Sequence, residues 1–184
     1  MNTHIVCDSS MLASFLDIPG KDQFSHEVHA RMNAIKEDDS IRLYLPWAAV
    51  IECGNHIEQM TPRYPDHKRE RALKLSAIVK SCLDGVSPFS RLGFWDEKQA
   101  RQMIDVFPNN VMLNVGMGDT SILADCQRLC ARLQLRDELQ IDLWTYDEAL
   151  KNLFLSQRSS WLIGADGILT NSNNLNSQTQ TISQ

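Results

Sequence analysis

"HIVCDSSMLASFL", residues 4–16, carries the reading that decides the fold. Its first part is a short β-favouring apolar run that stops on an acid, Asp8. Ser9 and Ser10 follow, and "MLASFL" then takes up a helical pattern. A strand that feeds a helix through an acidic turn is the unit from which parallel α/β sheets are built.

Outward from it the same alternation recurs. "KDQFSHEVHARMNAIKEDD" places Phe24, Val28, Met32 and Ile35 on one face of an amphipathic helix. "IRLYLP" is a second strand, ended by Pro46, which favours a first helical turn. "WAAVIECGNHIEQM", from Trp47, reads as a buried helix with Glu52 in its middle, broken by Pro62 and Pro65. "DHKRERALKLSAIVKSCLDG" predicts a further helix with Leu75, Ile78, Val79 and Cys82 as its stripe and Gly85 as its stop.

Between Val86 and Asn114, "FWDEKQARQMIDVF" predicts a short helix flanked by turn signals at Ser87-Pro88 and Pro108-Asn109-Asn110. "GMGDTSILADCQRL", from Gly116, opens another, with Ile122, Cys126, Leu129, Cys130 and Leu133 on one face. "QIDLWT" is a strand, "DEALKNLFL" a helix, and "SSWLIGADGILT" a last strand. The fold class is therefore α/β: a single domain with a parallel sheet flanked by helices on both faces. Residues 1–170 form that domain. The tail "NSNNLNSQTQTISQ", residues 171–184, buries too little apolar surface to offset its ordering entropy and is expected to be disordered.

A chain of 184 residues with 43% hydrophobic content suits one ordinary core. The net charge of −5 is not that of a protein that binds nucleic acid through excess Lys and Arg, although bound cations cancel the charge of an acidic metal site. Cys7, Cys53, Cys82, Cys126 and Cys130 have no C-x-x-C spacing and sit mostly in apolar runs, as reduced, buried thiols do. With no signal-peptide pattern and no long apolar span, the expectation is a soluble, cytoplasmic protein without a membrane partner.

Ligands gather outside the carboxyl ends of strands in open parallel sheets. Asp8 ends the first strand, and Asp147 follows Trp144 by three residues through Thr145 and Tyr146. Glu52 lies among Val50, Ile51 and Cys53, where a buried carboxylate is costly without a partner. Asp119 starts its helix after Gly116 and Gly118, which give the chain a flexible approach. Taken singly, Asp8, Asp119 and Asp147 also read as helix caps. Taken together, carboxylates gathered at strand ends repel one another unless a hard cation such as Mg²⁺ or Mn²⁺ sits among them.

"IVCDSS", "LPWAAVIECGNHI", "GMGDTSILADC" and "LWTYDEAL" resemble, in order and context, the four acidic motifs of the PIN domain, the nuclease family that includes the VapC toxins. The resemblance spans residues 5–150 and implies a PIN-like fold. It places the family's acids at Asp8, Glu52, Asp119 and Asp147, as metal ligands and catalytic set. Thr145 matches a T-x-D and Ser9 the hydroxyl residue after the first acid. The implied activity is a Mg²⁺- or Mn²⁺-dependent endoribonuclease that cleaves RNA with a metal-activated water. Implied partners are RNA, an antitoxin protein if the chain is a toxin, and a second copy as homodimer. The interval between Glu52 and Asp119 exceeds that of the compact toxins, and its segment 62–114 is read as a substrate platform or partner surface. The alternatives are a non-catalytic RNA-binding or protein-interaction module on the same fold, and a structure-specific DNA nuclease.

Asn55 and His56 share the helical face of Glu52 and read either as groups that orient its carboxylate or contact a phosphate, or as ordinary helix contacts. Arg63, Lys68, Arg69, Arg71 and Lys74 read first as a solvated face interleaved with Asp66 and Glu70, and second as a phosphate-steering patch. Arg128, Arg132 and Arg136 form a structural stripe in which Asp125 can pair with Arg128. "HEVH", from His26, lacks the i, i+4 histidine pair of a zinc hydrolase, and there is no P-loop or nucleophile elbow.

Overall fold

The computed structural model describes residues 2–61, 65–86 and 88–162. Four strands, β1 (Thr3–Cys7), β2 (Ile41–Leu45), β3 (Phe89–Arg91) and β4 (Ile141–Trp144), form one parallel sheet in the order β3-β2-β1-β4. The chain runs outward from β1 to β3, then returns to the other side of β1. The topological switch point therefore lies between β1 and β4, where Asp8 N–H extends the pairing by donating to Trp144 O at 3.0 Å.

Alternation along the strands divides the interior into two layers. Ile5, Cys7, Leu43, Leu45 and Trp144 face α1 (Ser9–Phe15), α2 (Ser25–Lys36) and α4 (Pro65–Leu83). Val6, Tyr44, Ile141 and Leu143 face α6 (Met117–Leu133) and α7 (Glu148–Gln157). Helix α3 (Trp47–Gln59) serves both, giving Cys53 and Ile57 to the first layer and Ala49 to the second. The parallel α/β fold with helices on both faces is as expected from the sequence. All five cysteines are free and buried, and Cys126 and Cys130 belong to the second core layer.

Several local expectations need correction. Helix α5 (Glu97–Val111) begins at a capping box, where Gln99 N–H donates to Asp96 at 2.8 Å and Asp96 N–H donates to Gln99 at 3.0 Å, and runs through Pro108. Pro108 is not the turn that Pro108-Asn109-Asn110 predicts: a proline near the end of an exposed helix removes a single backbone donor while packing against α6 holds the rest. Strand β3 has no counterpart in the sequence pattern: three residues of which only Phe89 is buried give no alternation to read. Phe24 does not join the buried stripe of α2. It precedes that helix and is 40% exposed. Leu133 lies at the exposed rim of α6.

Arg158–Trp161 form a 3-10 turn instead of the start of a last strand, because Trp161 folds back onto Phe154 with ring centroids 5.8 Å apart. The remainder of that expected strand, Arg63 and the polar tail lie outside the described residues.

Several described members of the charged stripes make intramolecular bonds. Glu70 pairs with Arg71 at 3.0 Å and Lys74 at 2.9 Å, while Arg71 Nε donates to Asp17 O at 3.2 Å. Asp125 is buried in α6, where Arg128 donates to it at 2.7 Å and Trp95 Nε1 at 2.9 Å. Arg128 also donates to the carbonyls of Gly93 at 2.6 Å and Phe94 at 3.1 Å. These bonds fasten the loop after β3 to α6.

Candidate metal centre

Asp8 leaves β1 with an extended backbone and caps α1, so one carboxylate closes the helix and faces the switch point. Its Oδ1 accepts from Ser9 N–H at 2.6 Å. Its Oδ2 accepts from Ser10 N–H at 3.3 Å, Ser10 Oγ at 2.7 Å and Thr145 Oγ1 at 2.8 Å. The side chain is only 2% exposed, and these donors replace the water it has lost. The two hydroxyls are held in turn: Tyr146 N–H donates to Ser10 Oγ at 2.9 Å and Asp147 N–H to Thr145 Oγ1 at 3.0 Å. The turn after β4 therefore sets the position of the acid at the end of β1.

Thr145 is thus where the sequence places a supporting group. Of Ser9 the backbone N–H, not the hydroxyl, reaches Asp8. The hydroxyl comes from Ser10, which sequence reasoning missed. The signal was present, since a serine two residues after a capping Asp lies over the cap and can bond it.

Asp119 is the third residue of α6 and not its cap; Gly116 holds the cap position with ordinary φ of −71°. The Asp119 Oδ2 accepts from Gly116 N–H at 3.1 Å, a geometry that stabilises a carboxylate in the first turn. The flexible glycine approach is not needed: a Cβ on Gly116 or Gly118 would meet its nearest neighbour at 3.5 Å, ordinary contact. For Gly118 that neighbour is Glu52 Oε2, so the first turn of α6 lies against the Glu52 carboxylate.

Glu52 departs from the expectation of burial. Its side chain is 42% exposed, it follows an exposed Ile51, and His56 Nε2 stands 3.8 Å from its Oε1. The apolar run around it is real, but α3 turns only Ala49, Cys53 and Ile57 fully inward. Asn55 is exposed on the same helix.

Carboxylate oxygens of Asp8, Glu52 and Asp119 all lie within 4.8 Å of one another. β1, α3 and α6 each supply one. Asp147 is not part of this group: it is exposed and caps α7, accepting from Leu150 N–H at 2.8 Å. It is still near enough for its charge to act on Asp119.

Burial pushes the Asp119 carboxyl up to about 6. The charges of Asp8, Glu52 and Asp147 act in the same direction, against the Gly116 N–H. Among the described residues no lysine or arginine forms an ion pair with the three clustered acids; the one ion-pair partner is His56. Oxygen-only donors that converge without a lysine or arginine partner fit a hard divalent cation, whose opposite ligands stand about 4–5 Å apart.

A raised Asp119 value means that the metal-free folded chain keeps a proton that the unfolded chain gives up. The stability from this group is complete below about pH 4 and is lost as the pH rises through about 6. Asp119→Asn should remove that loss. The metal-free variant is expected to be more stable than the parent near neutral pH, by about 1 kcal/mol for a half-exposed site. Urea unfolding in EDTA at several pH values checks this: the gap between the two proteins should widen with pH, and a constant gap would contradict it.

Thr145→Val removes the donor to Asp8 and the acceptor for Asp147 N–H without changing side-chain shape. Mn²⁺ affinity, read by calorimetry, should fall about 10-fold, as when other groups that orient metal ligands are lost. Compared with known proteins, the chain matches no family model, no curated protein and no solved structure.

Proposed function

We propose that this chain is a divalent-metal-dependent ribonuclease of the PIN type, with Asp8, Glu52 and Asp119 holding the ion. The observation that carries the reading is the convergence of three carboxylates from β1, α3 and α6 beside the switch point of a parallel sheet. A bound Mg²⁺ or Mn²⁺ would supply an activated water and charge stabilisation at the phosphodiester.

The chain's own residues do the positioning. Ser10 and Thr145 hold Asp8, Gly116 N–H holds Asp119, and His56 stands beside Glu52. Asp147 organises the β4 turn through its backbone N–H and adds negative charge near Asp119. A binding module without metal gains nothing from packing three carboxylates together, which favours the nuclease over the non-catalytic alternative.

The test is incubation of the purified protein with end-labelled RNA and with DNA of the same sequence, in Mn²⁺ or Mg²⁺ and in EDTA. Metal-dependent cleavage of RNA that EDTA abolishes is the expected result. Cleavage of DNA alone would reassign the substrate. No Mn²⁺ binding by calorimetry would overturn the metal site itself.

A further inference from the structure

At the amino edge of the sheet, the opposite edge from the acid cluster, positive charge gathers on the face that packs against α6. The register pairs His4 of β1 with Arg42 of β2, so the two side chains leave the same face of neighbouring strands, ~4.8 Å apart. Tyr44 follows on that face, and its hydroxyl stands 3.1 Å from His4 Nδ1. Arg132, in the last turn of α6, lays its guanidinium 5.9 Å from the centre of the Tyr44 ring. Two strands and a helix thus bring two guanidiniums, an imidazole and a phenol to one spot.

No negative group answers these charges. Arg42 and Arg132 form no ion pair among the described residues, although the chain carries 23 acids against 18 lysines and arginines. The charges that act on His4 and Tyr44 are those of the two arginines. Asp38, Asp137 and Asp142, from adjoining segments, are engaged elsewhere, with Ser40, with the Leu139 N–H and with Arg31. Asp142 also leaves the other face of the sheet, since it pairs with Ile5.

The imidazole completes a donor set. Tyr44 takes up its Nδ1, which leaves Nε2 for a ligand. With the Tyr44 hydroxyl donating to Nδ1, Nε2 carries the ring proton. Burial and the two guanidiniums hold the His4 ring below its usual value, so it offers this N–H in the neutral form near pH 7. Guanidinium forks match the paired oxygens of a phosphate.

We propose that His4, Arg42, Tyr44 and Arg132 form a binding site for a dianionic phosphate group, free or carried as a phosphomonoester. Arg42 and Arg132 supply the charge, His4 a directed donor, and Tyr44 fixes the imidazole. β1 separates His4 from Asp8 by four residues, about 13 Å, which exceeds the ~8 Å over which physiological salt screens a charge. The site is therefore filled independently of a metal among the acids, and it does not rest on the nuclease reading.

The test is a titration with inorganic phosphate, adenosine 5′-monophosphate and dimethyl phosphate, at an ionic strength held constant with chloride and a pH at which the first two are dianions. NMR signals of the His4 ring, assigned with His4→Gln, report binding. Both dianions should shift them saturably, and dimethyl phosphate, with a single charge, should bind about 10-fold more weakly. Arg42→Gln and Arg132→Gln, at exposed positions, should each weaken phosphate binding about 10-fold, the loss of one charge-assisted hydrogen bond. Arg42→Lys keeps the charge without the fork and should fall between. Circular dichroism and Mn²⁺ affinity should match the parent in all three variants.

Equal affinities for phosphate and the mononucleotide mean that the phosphate group alone is recognised. Tighter binding of the mononucleotide means that its nucleoside adds contacts; either result supports the site. No saturable shift at His4 with either dianion, or a shift that chloride alone reproduces, would overturn it. Dimethyl phosphate bound as tightly as phosphate, or glutamine variants that bind as the parent does, would do the same.

Discussion

Asp119→Asn should lower metal-dependent RNA cleavage about 10³-fold or more, equivalent to about 4 kcal/mol of lost transition-state stabilisation. The asparagine oxygen can still accept from Gly116 N–H, so the fold survives, and the metal-free protein is expected to gain stability. Loss of activity with a stability gain is a pattern that misfolding cannot produce. Asp8→Asn should abolish cleavage as thoroughly but behave differently when unfolded. The Asp8 Oδ2 faces three donors, and an amide nitrogen there would set an N–H against the Ser10 N–H. About 1–2 kcal/mol of stability should be lost with it. Cleavage retained in both variants would remove the metal centre from the reaction.

The largest effect on stability is expected at Phe154→Ala. Phe154 is fully buried in the second core layer, with Trp161 tilted against its ring and the Arg158 guanidinium 5.8 Å from its centre. Truncation should cost about 3–5 kcal/mol through lost transfer energy and the cavity left behind. A thermal midpoint lower by about 10 °C would follow for a chain of this size. The neighbouring Leu155→Ala, on the exposed side of α7, should change stability by less than about 0.5 kcal/mol. Equal effects at the two positions would mean that α7 does not pack as described.

The layers of this fold were legible because each element carries its own periodicity. β1 reads as a strand from a short β-favouring apolar run, and α6 reads as a helix from Ile122, Cys126, Leu129 and Cys130. Where an element is held by its neighbours instead, the signal fails. β3 exists because β2 offers it a ladder, and Phe24 leaves its stripe because Tyr146 gives it a ring to stack on.

The acids divide in the same way. Asp8 and Asp119 could be placed from strand ends and helix starts, which are properties of short sequence stretches. The exposure of Glu52 depends on which side of α3 meets α1 and α6. The separation of Asp147 from the other three depends on its role as cap of α7. Ser10 became part of the site through the turn after β4, more than a hundred residues away.

The sequence by itself determined a parallel α/β chain, its buried thiols, and acids at the ends of strands, because hydrophobic period and capping chemistry act over a few residues. Only the tertiary structure decided that Asp8, Glu52 and Asp119 share one small volume and that Ser10 and Thr145 support it. Those facts depend on strand order and helix packing, where residues far apart in the chain exclude water together, and no local pattern encodes a distance between them.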